Sequence, residues 1–300
     1  MNRKRLGGIS IFTALVAVFY LSSEEHDPLS WLSGDCEQSK MMSEPNGTNP
    51  VALSDPEISN VNRFIAHAGG SIDGLKYTNS LEALENSYKD GFRLFELDII
   101  ETSDNKFVAA HDWERWQRWT DYAGKLPPTL ASFKTHKLLG KYTPLDMNDI
   151  NTWFDQHLDA TLVTDKINKP VEFSSLFVDK NRLMMELFTL EAVLEGMKTG
   201  IRSAMPSWVV LDRLGCDAAT ELATMGVTDV AASRRIQYEN TGLLTQLKSS
   251  GIRVYAFQLN SDTWDNEQFV ICHEMNYFYG IYADNWNFGT RASCSGSSSN

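Results

Sequence analysis

Cysteine and positive charge are both scarce in this chain. Only four of its 300 residues are cysteines, and their spacing fits no metal-binding motif, so a cysteine-ligated metal centre is not predicted. Lysine and arginine total 27 against 39 aspartates and glutamates, which leaves a formal net charge of −12. Because so acidic a surface repels polyphosphate, we expect no nucleic-acid partner. One small phosphate ester held by a metal ion is still compatible with this charge.

A long apolar run stands at the N-terminus, where residues 6–21 follow the basic residues Arg3, Lys4 and Arg5. This pattern predicts a signal peptide or an uncleaved membrane anchor over residues 1–23. The rest of the chain would then be exported, either anchored and facing the periplasm or exterior, or secreted if the signal is cleaved. Residues 24–60 are polar and aperiodic, which predicts a flexible linker. In an oxidising compartment Cys272 and Cys294 can pair, whereas Cys216 is expected to pack as a small apolar residue.

The remaining composition is that of a globular protein. With 42% hydrophobic and 22% charged residues, the chain is not wholly disordered, collagen-like or coiled-coil. Helical patterns, such as residues 79–90 with Asn79 as a candidate cap and Gly91 as a stop, separate short apolar runs. Eight such runs are typical of buried strands: Phe64–Ala66, Leu94–Ile99, Thr161–Thr164, Arg182–Met185, Trp208–Leu211, Asp229–Ala232, Val254–Phe257 and Gly280–Ala283.

Strands alternating with helices in this way predict an α/β fold with a parallel sheet. Eight strands favour closure into a (β/α)₈ or TIM barrel over residues 61–290, preceded by the N-terminal hydrophobic helix and followed by a disordered tail, 291–300. The alternative is an open doubly wound sheet. The long gap between the second and third strands, residues 100–160, predicts an insertion. Its Trp113, Trp116 and Trp119 form either the core of the insertion or a lid or lipid-facing rim.

Polar residues that end strands carry the functional signal, because barrels of this kind build their active sites there. His67 ends the first strand, and Asp165 ends the third. Glu96 and Asp98 lie two apart on the second strand, so both side chains point to the same side. Carboxylates brought together in this way repel one another unless a divalent cation such as Mg²⁺, Ca²⁺ or Mn²⁺ compensates them. With His111 from the insertion, the set could move protons around a phosphate ester.

In this order the motifs resemble the glycerophosphodiester phosphodiesterase family of the phosphatidylinositol phospholipase C-like TIM barrels. The family pattern runs His-Arg-Gly, Pro-Glu-Asn-Thr, Glu-x-Asp, His-Asp and an acidic residue on the third strand. The matching segments here are His67-Ala68-Gly69, Tyr77-Thr78-Asn79-Ser80, Glu96-Leu97-Asp98, His111-Asp112 and Asp165-Lys166.

The resemblance implies a metal-dependent phosphoric diester hydrolase that acts on glycerophosphodiesters or phospholipid headgroups. By the same resemblance His67 and His111 are the acid/base pair, and three acidic residues hold Mg²⁺ or Ca²⁺, namely Glu96, Asp98 and Asp165. Substrate contacts are expected at Asn79 and Lys166 within the motifs. Two more are expected at strand ends, from Glu186 and from Trp286 beside Asp284. Asp112 is expected to orient His111 or to cap a helix.

Departures from the family pattern leave two alternatives open. Ala68 stands where the family has its phosphate-binding arginine, which favours a non-catalytic, membrane-anchored binding protein on the same barrel. Asp165 as the third acid is similar to sphingomyelinase D-type phospholipases, which favours a lyase that forms a cyclic phosphate. Thr78 stands where the family has glutamate. Lys166 follows Asp165 directly, so the two side chains are expected on opposite faces of the strand.

Overall fold

The computed structural model describes residues 55–259 and 267–288. The predicted signal or anchor, the linker up to residue 54 and the tail at 291–300 lie outside the described residues, as does Cys294 with its predicted pairing. The domain bounds therefore stay predictions. Of the helices that are described, none is long and apolar enough to cross a membrane.

Eight parallel strands form the main sheet. Their order across the sheet is Ser203–Pro206, Leu183–Leu187, Thr161–Asp165, Leu94–Glu101, Phe64–Ala66, Gly280–Ala283, Arg253–Phe257 and Asp229–Ser233. A parallel bridge between Ser207 and Ala231 joins the two ends of this order, so the sheet nearly closes into a barrel. The predicted barrel is confirmed, and the open doubly wound sheet is wrong. The strands are β1 Phe64–Ala66, β2 Leu94–Glu101, β3 Phe107–Ala109, β4 Leu145–Asp146, β5 Thr161–Asp165, β6 Leu183–Leu187, β7 Ser203–Pro206, β8 Asp229–Ser233, β9 Arg253–Phe257 and β10 Gly280–Ala283.

Helices follow most of the parallel strands and cover the outside of the barrel. Several begin at side-chain caps of the expected kind, such as Thr189, which accepts from the backbone N–H of Ala192. The described helices are α1 Asp55–Ile58, α2 Leu81–Asp90, α3 Trp113–Thr120, α4 Leu130–Thr135, α5 Met147–Gln156, α6 Pro170–Leu176, α7 Leu190–Lys198, α8 Trp208–Leu214, α9 Ala218–Met225, α10 Ile236–Glu239, α11 Thr241–Ser249 and α12 Glu267–His273.

The fifth parallel strand differs from the sequence prediction. Trp208–Leu211 was expected to be a strand, but it begins α8, and the strand is the preceding Ser203–Pro206. Along α8, Val210 and Leu211 are buried while Trp208 is 48% exposed, as on a helix with one buried face. A short apolar run does not distinguish such a helix from a strand, and β7 is hard to recognise because it contains no β-branched or aromatic residue.

Each parallel strand contributes one residue to an apolar layer inside the barrel. The layer consists of Ile65, Leu94, Val163, Met184, Met205, Ala231, Tyr255 and Tyr282, all at most 4% exposed. Side chains in a strand alternate between faces, so the residue two positions later also points inward, one layer closer to the C-terminal end of the barrel. At five strands the residue in that next position is ionisable: His67, Glu96, Asp165, Glu186 and Asp284. Two of them, His67 and Asp284, come directly after the last residue of the strand. The alternation of side chains along the strands thus places a layer of four carboxylates and one imidazole next to the apolar layer.

The insertion between β2 and β5 has a core of its own. Strand β3 pairs antiparallel with β2, and β4 pairs antiparallel with β3, so the insertion is continuous with the barrel sheet. Its buried cluster consists of Val108, Ala110, Trp116, Phe133, Leu138 and Tyr142. Trp116 is 2% exposed, and Trp113 and Trp119 pack partly buried against the cluster. The tryptophans therefore form the core of the insertion, as the first of the two interpretations had it.

Both described cysteines are in disulfides. Cys272 is buried in α12, and Cys216 lies exposed in the short turn Gly215–Asp217; neither is a free thiol. The packing role expected for Cys216 is wrong, because an exposed turn offers no apolar surroundings for its sulfur to fill.

Candidate active site

Three carboxylates meet at the C-terminal end of the barrel. Glu96 and Asp98 point inward from β2, and the parallel register pairs Asp98 with Asp165 at the end of β5. One oxygen from each of the three lies within 4.8 Å of the others. Glu96 and Asp98 are only 1% and 2% exposed. The convergence expected from the sequence is present, and oxygen atoms in this arrangement could hold one divalent cation.

The electrostatics of this cluster also fit a cation. Burial and the neighbouring charges of Asp98 and Asp165 raise the pKa of Glu96 well above its ordinary value. Burial and the charge of Asp98 likewise raise the pKa of Asp165. Oε2 of Glu96 accepts a hydrogen bond of 2.6 Å from the backbone N–H of Ala68, whereas Oε1 is buried with no partner among the described residues. A buried carboxylate oxygen without a partner is costly, and a bound cation would satisfy it.

Ala68 enters the site through its backbone alone. Its side chain is a methyl group, fully buried, and its φ of 50° lies in the left-handed region. This conformation aims its N–H at Glu96. The position that carries the phosphate-binding arginine in the family therefore supplies no positive charge here.

Asn79 holds Asp98 in place. Its Nδ2 donates to Oδ2 of Asp98 at 2.7 Å, and its Oδ1 accepts from the backbone N–H of Asp98 at 2.9 Å. The expectation that Asn79 caps helix α2 is wrong, since the cap is Ser80, which accepts from the N–H of Ala83. Because both polar ends of the amide already contact Asp98, Asn79 acts first as a positioning residue. The contact with substrate stays a prediction.

Lys166 points into the site, contrary to the expectation that it lies opposite Asp165. Its Nζ lies 3.5 Å from Oδ1 of Asp98 and 3.9 Å from Oδ2 of Asp165. The alternation of faces holds only within a strand, and β5 ends at Asp165. Lys166 has a φ of 68°, and this left-handed turn brings its side chain back over the end of the barrel. The site therefore has one ammonium group beside its carboxylates.

His67 is oriented by a carboxylate from the last strand. Its Nδ1 lies 2.9 Å from Oδ1 of Asp284, and Nζ of Lys76 lies 2.7 Å from Oδ2 of the same residue. Burial alone would raise the pKa of Asp284, but the hydrogen bond and charge of His67, together with Lys76, outweigh it and lower the pKa to about 2. An ionised carboxylate can only accept, so Nδ1 carries a proton and Nε2 is left for chemistry.

His111 has a similar partner in its own neighbour. Its Nδ1 lies 2.6 Å from Oδ2 of Asp112, whose other oxygen accepts from the backbone N–H of Arg115 at the start of α3. Asp112 therefore does both things expected of it: it caps a helix and orients the imidazole. The hydrogen bonds from Arg115 and His111 outweigh burial and lower the pKa of Asp112.

Tyr77 connects the two imidazoles. The centroid of its ring lies 4.8 Å from that of His67 and 5.1 Å from that of His111, edge-on in both cases. The guanidinium of Arg115 stands over the same ring, 4.6 Å from its centroid. Sequence reasoning missed Tyr77, Arg115 and Lys76, because none of them ends a strand or occupies a motif position that bears chemistry.

Glu186 and Trp286 lie outside the cluster of three carboxylates. Glu186 is buried on β6, and the hydroxyl of Tyr282 donates to its Oε2 at 3.4 Å. Burial and the charge of Asp165 raise the pKa of Glu186 well above its ordinary value. Trp286 stacks on Phe64 with ring centroids 5.1 Å apart, as part of the core outside the barrel. Phe64 alternates with inward-facing Ile65, so the substrate contact expected of Trp286 is not supported.

The chain was compared with protein families, curated sequences and solved structures, and it is similar to one family of enzymes. Residues 67–201 match the model of the glycerophosphoryl diester phosphodiesterase family. No curated protein sequence gives a significant match. The family match confirms the resemblance that the motifs indicate. It also confirms the prediction of an enzyme that is similar to glycerophosphodiester phosphodiesterases.

Solved structures of such enzymes share the fold. A glycerophosphoryl diester phosphodiesterase from Parabacteroides distasonis superposes with a TM-score of 0.57 at 16% identity, over 79% of this chain and 90% of that one. One from Thermotoga maritima gives a TM-score of 0.53 at 18% identity, over 74% and 94%. A phosphodiesterase from Oleispira antarctica, solved with the product sn-glycerol-3-phosphate, gives 0.55 at 17% identity, over 74% and 92%.

Proposed function

We propose that this chain, whose residues 67–201 match the glycerophosphoryl diester phosphodiesterase family, is a metal-dependent hydrolase of glycerophosphodiesters or phospholipid headgroups. The observation that carries the proposal is the convergence of Glu96, Asp98 and Asp165 within 4.8 Å, on the barrel end that also holds His67. A second imidazole, that of His111, lies at the same end, where it contacts the ring of Tyr77. This is the equipment that cleavage of a phosphate diester requires.

Glu96, Asp98 and Asp165 would hold the cation. Their oxygen ligands favour Mg²⁺ or Ca²⁺ over zinc. When bound, the cation neutralises the negative charge of the phosphoryl oxygens. The partnerless Oε1 of Glu96 supports this choice, because it is a buried acceptor aimed at no protein donor in the described chain. Lys166, beside Asp98 and Asp165, is the positive side chain placed to contact the phosphate.

His67 and His111 would carry the protons. In-line displacement at phosphorus needs one group that takes a proton from the attacking oxygen and one that gives a proton to the departing alkoxide. Asp284 and Asp112 hold the Nδ1 atoms, so each imidazole presents Nε2 to the substrate. A carboxylate behind the ring also stabilises the imidazolium that forms when the base takes its proton.

The first experiment measures alcohol release from a panel of glycerophosphodiesters and lysophospholipids by the purified full chain. We expect turnover that a chelator abolishes and that Mg²⁺ or Ca²⁺ restores. E96Q should lose the activity and the metal response together. E101Q is a matched control, because Glu101 lies on the same strand but pairs with exposed Lys169. A metal-loaded protein that leaves the whole panel intact would falsify the proposal.

The third acid, Asp165, favours a second candidate outcome, in which a neighbouring hydroxyl of the substrate attacks phosphorus. Phosphorus-31 NMR of the product distinguishes the two. Hydrolysis gives an open monoester from the start, whereas the lyase reaction gives a cyclic ester that persists. Metal and histidine requirements are the same for both, so the product alone decides.

We further propose that the protein is exported, anchored or secreted according to whether residues 1–23 are retained. The basic and apolar pattern of those residues supports this, as do the disulfides of Cys216 and Cys272, which persist in oxidising compartments. Alkylation of the denatured, unreduced protein followed by mass spectrometry tests the cysteines. We expect no label at either position, and labelling of both in protein from its native compartment would contradict export.

A further inference from the structure

The described residues give the site little positive charge with which to bind a phosphate. The substrate proposed above is a phosphate diester, and the family's arginine is replaced by Ala68, whose methyl group is buried. Lys166 is the cation nearest the carboxylates, but it already lies 3.5 Å from Asp98 and 3.9 Å from Asp165. A further donor to the phosphoryl oxygens would make up for the missing guanidinium.

Tyr77 is held in place by three contacts. Its ring makes T-shaped contacts with two imidazoles, those of His67 and His111, and the guanidinium of Arg115 stands over its face. Its backbone has a φ of 63°, a left-handed conformation that bulky residues adopt only when the surroundings impose it. The preceding residue, Lys76, is tied to Asp284. The ring is therefore a fixed element of the site and not a loosely placed side chain.

The hydroxyl of Tyr77 has no hydrogen-bond partner among residues 55–259 and 267–288. Some other tyrosine hydroxyls are paired, as that of Tyr142 is with Asp73 at 2.8 Å. Burial raises the pKa of Tyr77, so its hydroxyl carries a proton at neutral pH. The Tyr77 ring lies 4.8 Å from the imidazole of His67 and 5.1 Å from that of His111, and both of these rings hold carboxylates on their Nδ1 atoms.

We propose that the Tyr77 hydroxyl donates a hydrogen bond to a non-bridging oxygen of the substrate phosphate, in place of the guanidinium that position 68 lacks. The guanidinium of Arg115 over the ring draws electron density from it and strengthens the hydroxyl as a donor. The ring also sets the spacing of His67 and His111, so the same residue binds the phosphate between the two proton carriers. This inference rests on the proposed function, since it assigns a phosphate to the space beside Tyr77.

The test compares Y77F with wild type in two assays. Y77F keeps every ring contact and removes only the hydroxyl. A hydrogen bond to a charged oxygen predicts that Y77F binds sn-glycerol 3-phosphate about 10- to 100-fold more weakly by calorimetry with Mg²⁺ present. The value of kcat/KM should fall by a similar factor. The matched control is Y122F, whose ring packs on Trp116 in the core of the insertion.

Binding and turnover separate this inference from the proposed function. If wild type binds sn-glycerol 3-phosphate, and Y77F binds it more weakly, but neither turns over any diester, the phosphate contact stands and the hydrolase proposal fails. Equal affinities for wild type, Y77F and Y122F would overturn the inference, and so would a wild-type protein that binds no sn-glycerol 3-phosphate. A Y77A variant that loses activity while Y77F keeps it would reduce Tyr77 to a packing role.

Discussion

The barrel and the insertion each bring one imidazole–carboxylate pair to the site, and they hold the pair in different ways. His67 and Asp284 are 217 positions apart, whereas His111 and Asp112 are adjacent. The first pair exists only because β1 lies beside β10, with Ala66 opposite Ala283. The second needs only the start of one helix. The barrel pair therefore depends on the closure of the whole fold, and the insertion pair depends on a small local core.

The carboxylates of the two pairs also differ in solvent exposure. The Asp284 side chain is 5% exposed and also pairs with Lys76, while the Asp112 side chain is 34% exposed. Water can replace a lost contact at Asp112 but not at Asp284. We therefore expect the barrel pair to be less tolerant of change, which the following experiments test from the largest effect to the smallest.

Replacing either imidazole should have the largest effect. H67N and H111N are each expected to lose about 10²–10⁴-fold in kcat, because each removes one proton carrier. If the two act in one step, the double variant should lose less than the product of the single losses. Equal single losses would show that the barrel and the insertion share the chemistry. A full-rate H111N would show that the insertion has only a structural role.

Removing the centre of the insertion core should separate local from global stability. W116A is expected to cost about 3–5 kcal/mol, since Trp116 is only 2% exposed. Hydrogen exchange should rise across residues 107–146 while the parallel strands stay protected, and activity should fall through His111. W208A removes the same side chain where it is 48% exposed, and it should leave both readouts near wild type. Loss of protection throughout the barrel would contradict an independent insertion core.

Neutralising the two orienting carboxylates compares the pairs directly. D284N is expected to lower kcat/KM by about 100-fold and D112N by about 10-fold, within the range for hydrogen bonds to charged groups. The physical reason is the difference in exposure, which allows water to support His111 but not His67. D112N should leave the thermal midpoint near that of wild type, because asparagine caps a helix about as well as aspartate. A larger rate loss in D112N than in D284N would reverse the comparison.

Acid should remove the contribution of Asp284 to stability in a defined range. The folded pKa of Asp284 is about 2, below the ordinary value of 3.8, so its ionised form stabilises the fold above about pH 4. This contribution, about 2 kcal/mol, is lost as the pH falls from about 4 towards about 2. Urea unfolding of wild type and D284N should give curves that differ at pH 6 and converge near pH 2. A constant difference across that range would show that the pKa is not lowered.

Part of the site could be predicted from the sequence, and part depended on features that the sequence pattern does not show. A spacing of two on one strand was enough to put Glu96 and Asp98 on the same face, and adjacency was enough to predict that Asp112 orients His111. The direction of Lys166 was mispredicted because it depends on a left-handed φ after the strand ends. The strand at Ser203–Pro206 was missed because it contains none of the β-branched or aromatic residues that are typical of strands.

By itself, the order of residues determined which chemical groups this protein has and the face of each strand on which they lie, because the periodicity of a strand is a local property. It also determined the alternation of strands and helices from which a barrel follows. Only the tertiary structure decided that Asp284 supports His67, that Lys76 supports Asp284 and that Tyr77 stands between the two imidazoles. These contacts join residues from opposite ends of the barrel domain or from irregular loops. Their geometry depends on closure of the sheet and on backbone angles that no periodic pattern encodes.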